Sequence, residues 1–305
     1  MLQFYIVEYK ISKLPNFSSL NNYKAMLKKS NSIYPIAKKK PLRLEMHGDV
    51  RIDNYFWMND RENKDVIEYL KAENNYCDEQ MSHTKEFQES LFIEMKARIK
   101  EDDSSVPYKY NGYWYITKYE KGKDYPIYTR KKDSLDNPEE LLFDCNEMAE
   151  GHKYFKIVGI SISPDNKLVS YGIDLTGRRQ YTLHIKNLVN DQILVDSIEN
   201  TTGSSCWAND NKTIFYTKKD QVTLRAHQIY KHKLGDKQDD LLFEEGDTAF
   251  GVTVYKTKSR RYIIIACYST LTNEYHILDA DKPDKPEGKF QLFQERIRGV
   301  ESVSY

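Results

Sequence analysis

Residues 172–179 contain types that could bind phosphate. Their sequence, GIDLTGRR, comes close to the loop G-x-x-x-x-G-K-[ST], but arginines replace its lysine and its hydroxyl residue. A strand-like run follows, whereas a phosphate-binding loop has to lead into a helix N-terminus. We therefore interpret residues 172–179 as a hairpin turn and not as a nucleotide site.

Catalytic motifs built on cysteine, serine or histidine are present only in incomplete form. Cys206 and Trp207 in GSSCW lack the first cysteine and the spacing of the papain-type signature, which favours a small buried thiol beside a packed tryptophan. The segment nearest to the serine-hydrolase pentapeptide G-x-S-x-G is GISIS at 159–163, which ends in serine. There is no H-E-x-x-H, and the seven histidines do not pair at metal-ligand spacing. We assign no catalytic, cofactor-binding or metal-binding residue in this chain.

The charge balance argues against nucleic-acid and membrane partners. Lysine plus arginine and aspartate plus glutamate each number 46, and the basic run 38–40 is interpreted as solvated surface lysines. The apolar start, Leu2 to Val7, ends too early for a signal peptide or a membrane span. Four cysteines lie far apart without a C-x-x-C pair, which favours free thiols in a reducing compartment. We therefore expect a cytoplasmic protein.

Two amphipathic helices are predicted, over about residues 63–82 and 85–100. Apolar residues recur at steps of three and four in both segments, so each helix has one largely apolar face. The residues on these faces are Val66, Ile67, Leu70, Asn74, Cys77 and Met81 in the first helix, and Phe87, Leu91, Met95 and Ile99 in the second. Thr84 is expected to cap the second helix. Residues 1–34 show no sustained period and are predicted to be a mobile extension with one short helix near 23–27.

From residue 106 onwards, short runs with β character replace the helical pattern. Strands are predicted at 113–119, 126–130, 168–173, 181–187, 213–218, 228–233, 262–268 and 275–279. If Gly112, Asn166, Asn211 and Ser259 mark equivalent turns, the intervals between them are 54, 45 and 48 residues. A period of about 45–50 residues with four strands per unit is typical of β-propeller blades.

The predicted fold is therefore mainly β, with an incomplete β-propeller of about four blades over residues 105–305. The first blade would begin near residue 106 and the fourth would end near residue 295, and residues 296–305 would lead into a fifth. Four blades alone leave an apolar face and strand edges unpaired. We therefore expect the sequence to continue beyond Tyr305.

The segment EMHGDVRIDNYFWMND, residues 45–60, places three aromatic residues among charged ones and shows no regular period. Within it HGDVRIDNYFWM, and after it YLKAEN at 69–74, closely resemble the N-terminal region of oligopeptidase B enzymes, which belong to the prolyl oligopeptidase family of serine peptidases. The resemblance continues in order through NGY at 111–113, SPDN at 163–166, RRQY at 178–181, CWAND at 206–210 and LDA at 278–280. It covers roughly residues 35–285, and the order of these short motifs gives it weight.

The resemblance implies a seven-bladed propeller that caps an α/β-hydrolase domain, of which this chain would hold only about four blades. Residues 35–104 would form a strap and two helices that pack on the hydrolase domain. The candidates for this domain interface are Asp49, Arg51, Asp53, Tyr55 and Trp57. The complete enzyme would cleave short peptides after arginine or lysine with a Ser-His-Asp triad and without a cofactor, and the propeller would gate access. None of the triad residues can be assigned in this chain, which is expected to be inactive alone.

Two other functions remain open from the sequence. The chain could be a stand-alone β-propeller that mediates protein interactions, which predicts a stable monomer without an exposed apolar face. It could also be an inactive paralogue that kept only the cap.

Overall fold

The computed structural model describes residues 33–284 and 290–299. Its residues divide into two compact units, with the boundary between Lys100 and Glu101. The helix predicted near 23–27 lies outside the described residues, and so does most of the segment predicted to enter a fifth blade. The three-part division at residues 34 and 104 remains a prediction.

The first unit contains a β-hairpin, although the lack of a regular period over residues 45–60 predicts irregular backbone there. Strands β1 (Leu42–Met46) and β2 (Asp49–Asp53) pair antiparallel, and Met46 lies opposite Asp49. The two turn residues His47 and Gly48 have φ angles of 52° and 81°, as a two-residue hairpin turn of type I′ requires. A short 3-10 helix (Phe56–Asn59) follows. The prediction for residues 45–60 was therefore wrong in its local structure.

The two predicted helices are present as α1 (Lys64–Met81) and α2 (Lys85–Ala97), joined by a 3-10 turn (Ser82–Thr84). The Asn63 side chain caps α1 by accepting the Asp65 N–H. Thr84 stands at the N-cap position of α2, but its hydroxyl donates to the Met81 carbonyl instead of capping. The 3-10 turn already supplies a carbonyl partner, Ser82, to the Lys85 N–H. No helix in the described residues is both long and apolar enough to cross a bilayer.

The apolar faces of the two helices are open in this structure. Val66 is the only buried residue of α1, and α2 has none. Leu70 and Phe87 are each 51% exposed, although each belongs to an apolar stripe. The helices therefore form no core of their own.

The second unit contains four β-sheet blades. The first blade consists of β3 (Asp103–Ser104), β4 (Tyr108–Tyr110), β5 (Tyr113–Tyr119), β6 (Ile127–Lys132) and β7 (Glu139–Asp144), followed by the short helix α3 (Cys145–Met148). The fourth blade consists of β15 (Gly251–Lys256), β16 (Tyr262–Tyr268), β17 (Asn273–Asp279) and β18 (Gln291–Gln294).

The second and third blades share one long strand, β11 (Ile193–Trp207), and are therefore joined in a seven-stranded sheet. The first half of β11 completes the second blade, and its second half begins the third. The other strands are β8 (Lys156–Ile162), β9 (Leu168–Asp174) and β10 (Tyr181–Asn187) in the second blade, and β12 (Thr213–Lys219), β13 (Ala226–Lys233) and β14 (Asp240–Glu244) in the third. All eight predicted strands overlap observed ones, so the propeller repeat is confirmed within the described residues.

Three glycines allow strands of the second and third blades to cross closely. A Cβ on Gly159 would lie 2.1 Å from the Gly203 carbonyl oxygen, and a Cβ on Gly172 would lie 2.4 Å from the Gly203 Cα. Gly203 itself has a φ of 85°, and a Cβ there would lie 2.4 Å from a Val158 methyl. A side chain at Gly159 or Gly172 would therefore collide with backbone, and one at Gly203 would collide with the side chains of Val158 and Tyr181.

The hydrophobic cores lie between neighbouring blades. Tyr115 and Phe143 of the first blade pack with Val169 and Tyr171 of the second. In the fourth blade, alternate residues of β16 point to opposite faces, so Ile263, Ile265 and Cys267 face the third blade while Ile264 and Ala266 belong to a smaller cluster. Each blade therefore needs a neighbour to bury its apolar face.

Buried polar contacts supplement these cores at the junctions. Arg130 of the first blade donates to the Asn166 carbonyl of the second at 3.1 Å. His232 of the third blade lies between two carboxylates, with Nε2 2.9 Å from Asp196 Oδ1 of the second blade and Nδ1 2.7 Å from Asp239 Oδ1. These contacts hold neighbouring blades in a defined register.

Candidate domain-interface site

Three of the predicted interface residues lie together on one face of the hairpin. Asp49, Arg51 and Asp53 alternate along β2, and alternate residues of a strand share a face. Asp49 and Arg51 are exposed, and Asp53 is partly buried. On the adjacent strand their cross-strand partners are the apolar residues Met46, Leu44 and Leu42. This face therefore presents charged side chains next to open apolar ones.

Asp53 and Tyr55 are connected through the chain turn that follows the hairpin. The Tyr55 N–H donates to Asp53 Oδ1 at 2.8 Å, which is a local turn typical of aspartate. The ring of Tyr55 is 42% exposed and is followed by the equally exposed Phe56. The turn therefore holds two aromatic rings outward, next to the charged face of β2.

Trp57 anchors this segment to the chain on either side of it. Its indole N–H donates to the Lys38 carbonyl at 3.0 Å, and the Lys40 ammonium lies 4.6 Å from the centre of its ring. Lys40 also pairs with Asp65 in the first turn of α1 at 2.6 Å, and this hydrogen bond lowers the pKa of Asp65. Trp57 is thus a local anchor that orders residues 38–40, the 3-10 helix and the start of α1.

Lys38, Lys40 and Asp65 were missed as members of this site. The lysines of the basic run 38–40 are exposed, as interpreted, but Lys40 also has an aromatic and a carboxylate partner, which the sequence did not indicate. No spacing in the sequence relates Lys40 to Asp65, which is 25 residues away.

The phosphate-like loop is a hairpin loop, as predicted. Residues 175–180 connect β9 to β10, and the buried Asp174 carboxylate accepts the N–H groups of Thr176, Gly177 and Arg179 at 2.8–3.1 Å. Burial opposes the effect, but these hydrogen bonds lower the pKa of Asp174. The loop amides that could cradle an anion are therefore occupied by the protein's own carboxylate.

The serine and cysteine candidates are structural. Cys206 is buried beside Trp207, and burial raises the pKa of its thiol to about 12, so it is not a thiolate at neutral pH. In GISIS the position of the nucleophile is held by Ser161, which lies inside strand β8 and not on a strand-to-helix turn. The final Ser163 is fully buried and donates to Asp165 Oδ1 at 2.7 Å. Neither segment therefore presents a nucleophile.

One cluster in the described residues has metal-ligand types. Cys267, Glu274 and His276 place possible ligand atoms within 4.8 Å of one another. The Arg296 guanidinium, however, donates to Glu274 at 2.9 Å and to the buried Glu245 at 2.7 Å. This contact lowers the pKa of Glu274 to about 2, whereas burial raises that of Cys267 to about 12. The cluster is therefore an ion-pair network with arginine as its cation.

Comparison with known proteins identifies the family. Residues 34–304 match the family described as prolyl oligopeptidase, N-terminal beta-propeller domain. The chain is 36% identical over 285 residues to dipeptidyl aminopeptidase BI of Pseudoxanthomonas mexicana and 35% identical over 275 residues to protease 2 of Moraxella lacunata. Each alignment covers 87% of this chain and 39% of the relative.

Solved structures agree. Oligopeptidase B from Leishmania major superposes with a TM-score of 0.80 at 30% identity, over 87% of this chain and 40% of that one. The chain therefore spans about two fifths of the length of the relatives it matches. The family match and the four blades give the same answer: this chain belongs to the prolyl oligopeptidase family and contains its N-terminal β-propeller domain.

Proposed function

We propose that this chain is the propeller portion of a serine oligopeptidase of the oligopeptidase B type, and that it works with an α/β-hydrolase domain. The observation that carries the proposal is the match over residues 34–304, together with a 30% identical oligopeptidase B of which the chain covers 40%. Catalysis would reside in the hydrolase domain, where serine attacks the peptide carbonyl, histidine acts as general base and aspartate orients the histidine. The chain alone is expected to be inactive.

The first unit would form the interface with the hydrolase domain. Its support is the open surface of that unit: Ile52 is 60% exposed on the hairpin, and both helices leave their apolar stripes uncovered. Contiguous apolar surface of this kind marks an interaction site. Asp49 and Arg51 would then form charged contacts at the rim, while Tyr55 contributes apolar area. Trp57 would act indirectly, by holding the segment in place.

The substrates would be short peptides cleaved after arginine or lysine, and the propeller would gate their access. We also infer a cytoplasmic location, in keeping with the four cysteines, all of which are free. The similarity to a dipeptidyl aminopeptidase favours a second specificity, the removal of dipeptides from a free N-terminus. A blocked arginyl substrate and a dipeptidyl substrate with a free amine distinguish the two.

The stand-alone interaction module is the competing function. It predicts that a 305-residue protein stays monomeric and binds no hydrophobic dye, although its helices expose their apolar faces. The structure favours the peptidase because those faces lack a cover within the described residues.

The test combines the transcript with two assays. The reading frame after Tyr305 is expected to encode G-x-S-x-G, and the longer protein is expected to cleave a blocked arginyl fluorogenic peptide but not its glutamyl counterpart. The 305-residue chain should show no turnover and should bind dye. A stop codon directly after Tyr305 in an intact transcript, with a monomeric chain that binds no dye, would overturn the proposal.

A further inference from the structure

The four blades present equivalent turns on one side of the second unit. In each blade this turn joins two antiparallel strands that are consecutive in the chain: β4 to β5, β8 to β9, β11 to β12, and β15 to β16. The turns contain Asn111, Asn166, Asn211 and Arg260, and these residues have left-handed φ angles of 47°, 63°, 61° and 62°. The repeat of the sequence is thus a repeat of one turn conformation, with arginine in place of asparagine in the fourth blade.

Hydrogen bonds link the turns of neighbouring blades. The Asn111 amide donates to the Pro164 carbonyl at 2.7 Å and to Asn166 Oδ1 at 2.9 Å, which joins the first two blades. The Asp165 N–H donates to Asn211 Oδ1 at 2.8 Å, which joins the second blade to the third. Each of these links lies between blades that are adjacent in the chain.

The third and fourth turns are linked in the same way. The Asn209 side-chain amide donates to the Arg260 carbonyl at 3.1 Å and to Asp281 Oδ1 at 2.6 Å. Asn209 Oδ1 in turn accepts from the Lys256 ammonium. The turn of the fourth blade is therefore held on its third-blade side by its backbone, and its arginine side chain is free to extend elsewhere.

Arg260 extends to the first blade, which is not adjacent to its own. Its Nη1 donates to Asn111 Oδ1 at 2.7 Å across 149 residues of sequence, and its guanidinium lies 4.7 Å from the centre of the Tyr110 ring. These two contacts use different groups, an amide oxygen and an aromatic face. With them the chain of turn contacts closes on itself, so the four turns surround a common centre.

The conformation of Arg260 makes this contact more than a chance surface pairing. Left-handed backbone is tolerated best by glycine and asparagine, and arginine is unfavourable there. The other three turns use asparagine, which would suit the fourth turn too, but its side chain is too short to reach the first blade. A strained residue that persists with specific contacts points to a role for its side chain.

We propose that Arg260 is a latch that spans the centre of the turn side and holds the first and fourth blades at a fixed spacing. Packing between neighbouring blades fixes each junction separately, but small deviations at three junctions add up over the four blades. A direct contact between the first blade and the fourth removes that freedom. The acceptors are an amide and an aromatic ring, so the latch does not depend on a titrating partner.

The substitution Arg260→Asn removes the latch contacts and keeps the conformation of the turn. Asparagine is favoured at a φ of 62°, so this variant should fold with undiminished thermal stability while losing both contacts to the first blade. The spacing is measured by electron-spin dipolar spectroscopy, with nitroxide labels on Lys132→Cys in the first blade and Lys258→Cys in the fourth. All labelled variants also carry Cys77→Ser, because Cys77 is exposed and would itself be labelled, whereas the other three cysteines are buried.

The expected result is a narrow distance distribution with Arg260 and a clearly broader one in Arg260→Asn and in Arg260→Met. The neighbouring exposed Arg261, whose guanidinium stacks on Tyr262, provides the matched control as Arg261→Met and should leave the distribution narrow. An unchanged distribution in Arg260→Asn, at equal thermal stability, would overturn the proposal. The measurement involves no peptide cleavage, so its outcome is independent of the proposed enzymatic function.

Discussion

Replacing Arg296 with methionine tests how much one cation contributes at the junction of the third and fourth blades. Arg296 donates to Glu245 at 2.7 Å and to Glu274 at 2.9 Å, and its guanidinium lies 4.2 Å from the centre of the Phe250 ring. The side chains of the two glutamates are only 5% and 13% exposed. The variant therefore leaves two carboxylates poorly solvated and without this cation.

The expected loss of stability follows from the burial of the two glutamates. Removing one member of a buried ion pair typically costs about 3–5 kcal/mol. Because the Arg296 side chain is itself 32% exposed, water screens part of the lost attraction. We expect the free energy of unfolding at neutral pH to fall by about 2–3 kcal/mol, which lowers the urea midpoint by about 1 M for a slope of about 2–3 kcal/mol per M.

The stability difference between wild type and Arg296→Met should shrink in acid. The hydrogen bond from Arg296 lowers the pKa of Glu274 from 4.5 to about 2. A carboxyl group with a lower pKa in the folded state stabilises fully above its unfolded pKa, and this contribution is lost as the pH falls through the folded value. The stabilisation by Arg296 is therefore present above about pH 4.5 and lost towards about pH 2.

Urea unfolding followed by tryptophan fluorescence, at about pH 7 and about pH 3, measures both effects. Arg298→Met is the matched control, because Arg298 is exposed and only two residues away. Equal stability of Arg296→Met and the wild type at neutral pH would contradict the reasoning. So would a difference that widens in acid.

Three further substitutions test the strand crossing, a second junction and the strap. Gly203→Ala should lower the free energy of unfolding by at least about 2 kcal/mol, because the added Cβ would overlap a neighbouring methyl group. Gly246→Ala, with open space around it, should have little effect. Equal effects of the two variants would refute the close approach of the strands at Gly203. His232→Leu leaves two aspartates facing each other and should lower the free energy of chemical unfolding by about 3 kcal/mol. His152→Leu, at an exposed position, should leave it almost unchanged. Equal losses in the two variants would count against the contact at the junction. Trp57→Phe removes one hydrogen bond worth about 1 kcal/mol and should speed amide exchange in residues 38–40 alone; exchange as slow as in the wild type would show that the indole N–H is dispensable.

The two middle strands of each blade could be predicted, whereas the innermost and the outermost strands could not. β5, β10 and β16 read as strands because β-branched and aromatic residues lie between turn residues. The inner strands β8, β11 and β15 each contain glycine where backbone or a ring approaches closely, as at Gly159 and Gly251. Glycine inside a strand reads as a turn signal in sequence, so the crowding that requires it also hides the strand.

The hairpin before the helices was missed for a different reason. Residues 42–53 alternate apolar and charged side chains on both sides of His47 and Gly48, which is a strand signal with a two-residue turn. The window 45–60 combines the second half of this pattern with the aromatic 3-10 helix, and the period of two disappears. The predicted interface residues lie in this hairpin, in the turn after it and, for Trp57, in the 3-10 helix. Their partner Lys40 could not be predicted, because no local rule relates it to Asp65.

Apolar and polar contacts have different roles between the blades. Together they explain how blades with little sequence identity to one another keep the same spacing and orientation. Apolar packing between blades is the larger stabilising term, but it is nearly insensitive to small sliding of one sheet over another. A buried ion pair or hydrogen bond is sensitive to such sliding, because its energy depends on distance and angle. Each junction in this chain has such a contact: Arg130 with Asn166, His232 with Asp196, and Arg296 with Glu245. The polar partners differ at every junction, so each contact fixes only its own pair of blades. This explains why the blades repeat in structure while the sequence shows the repeat only through its turns.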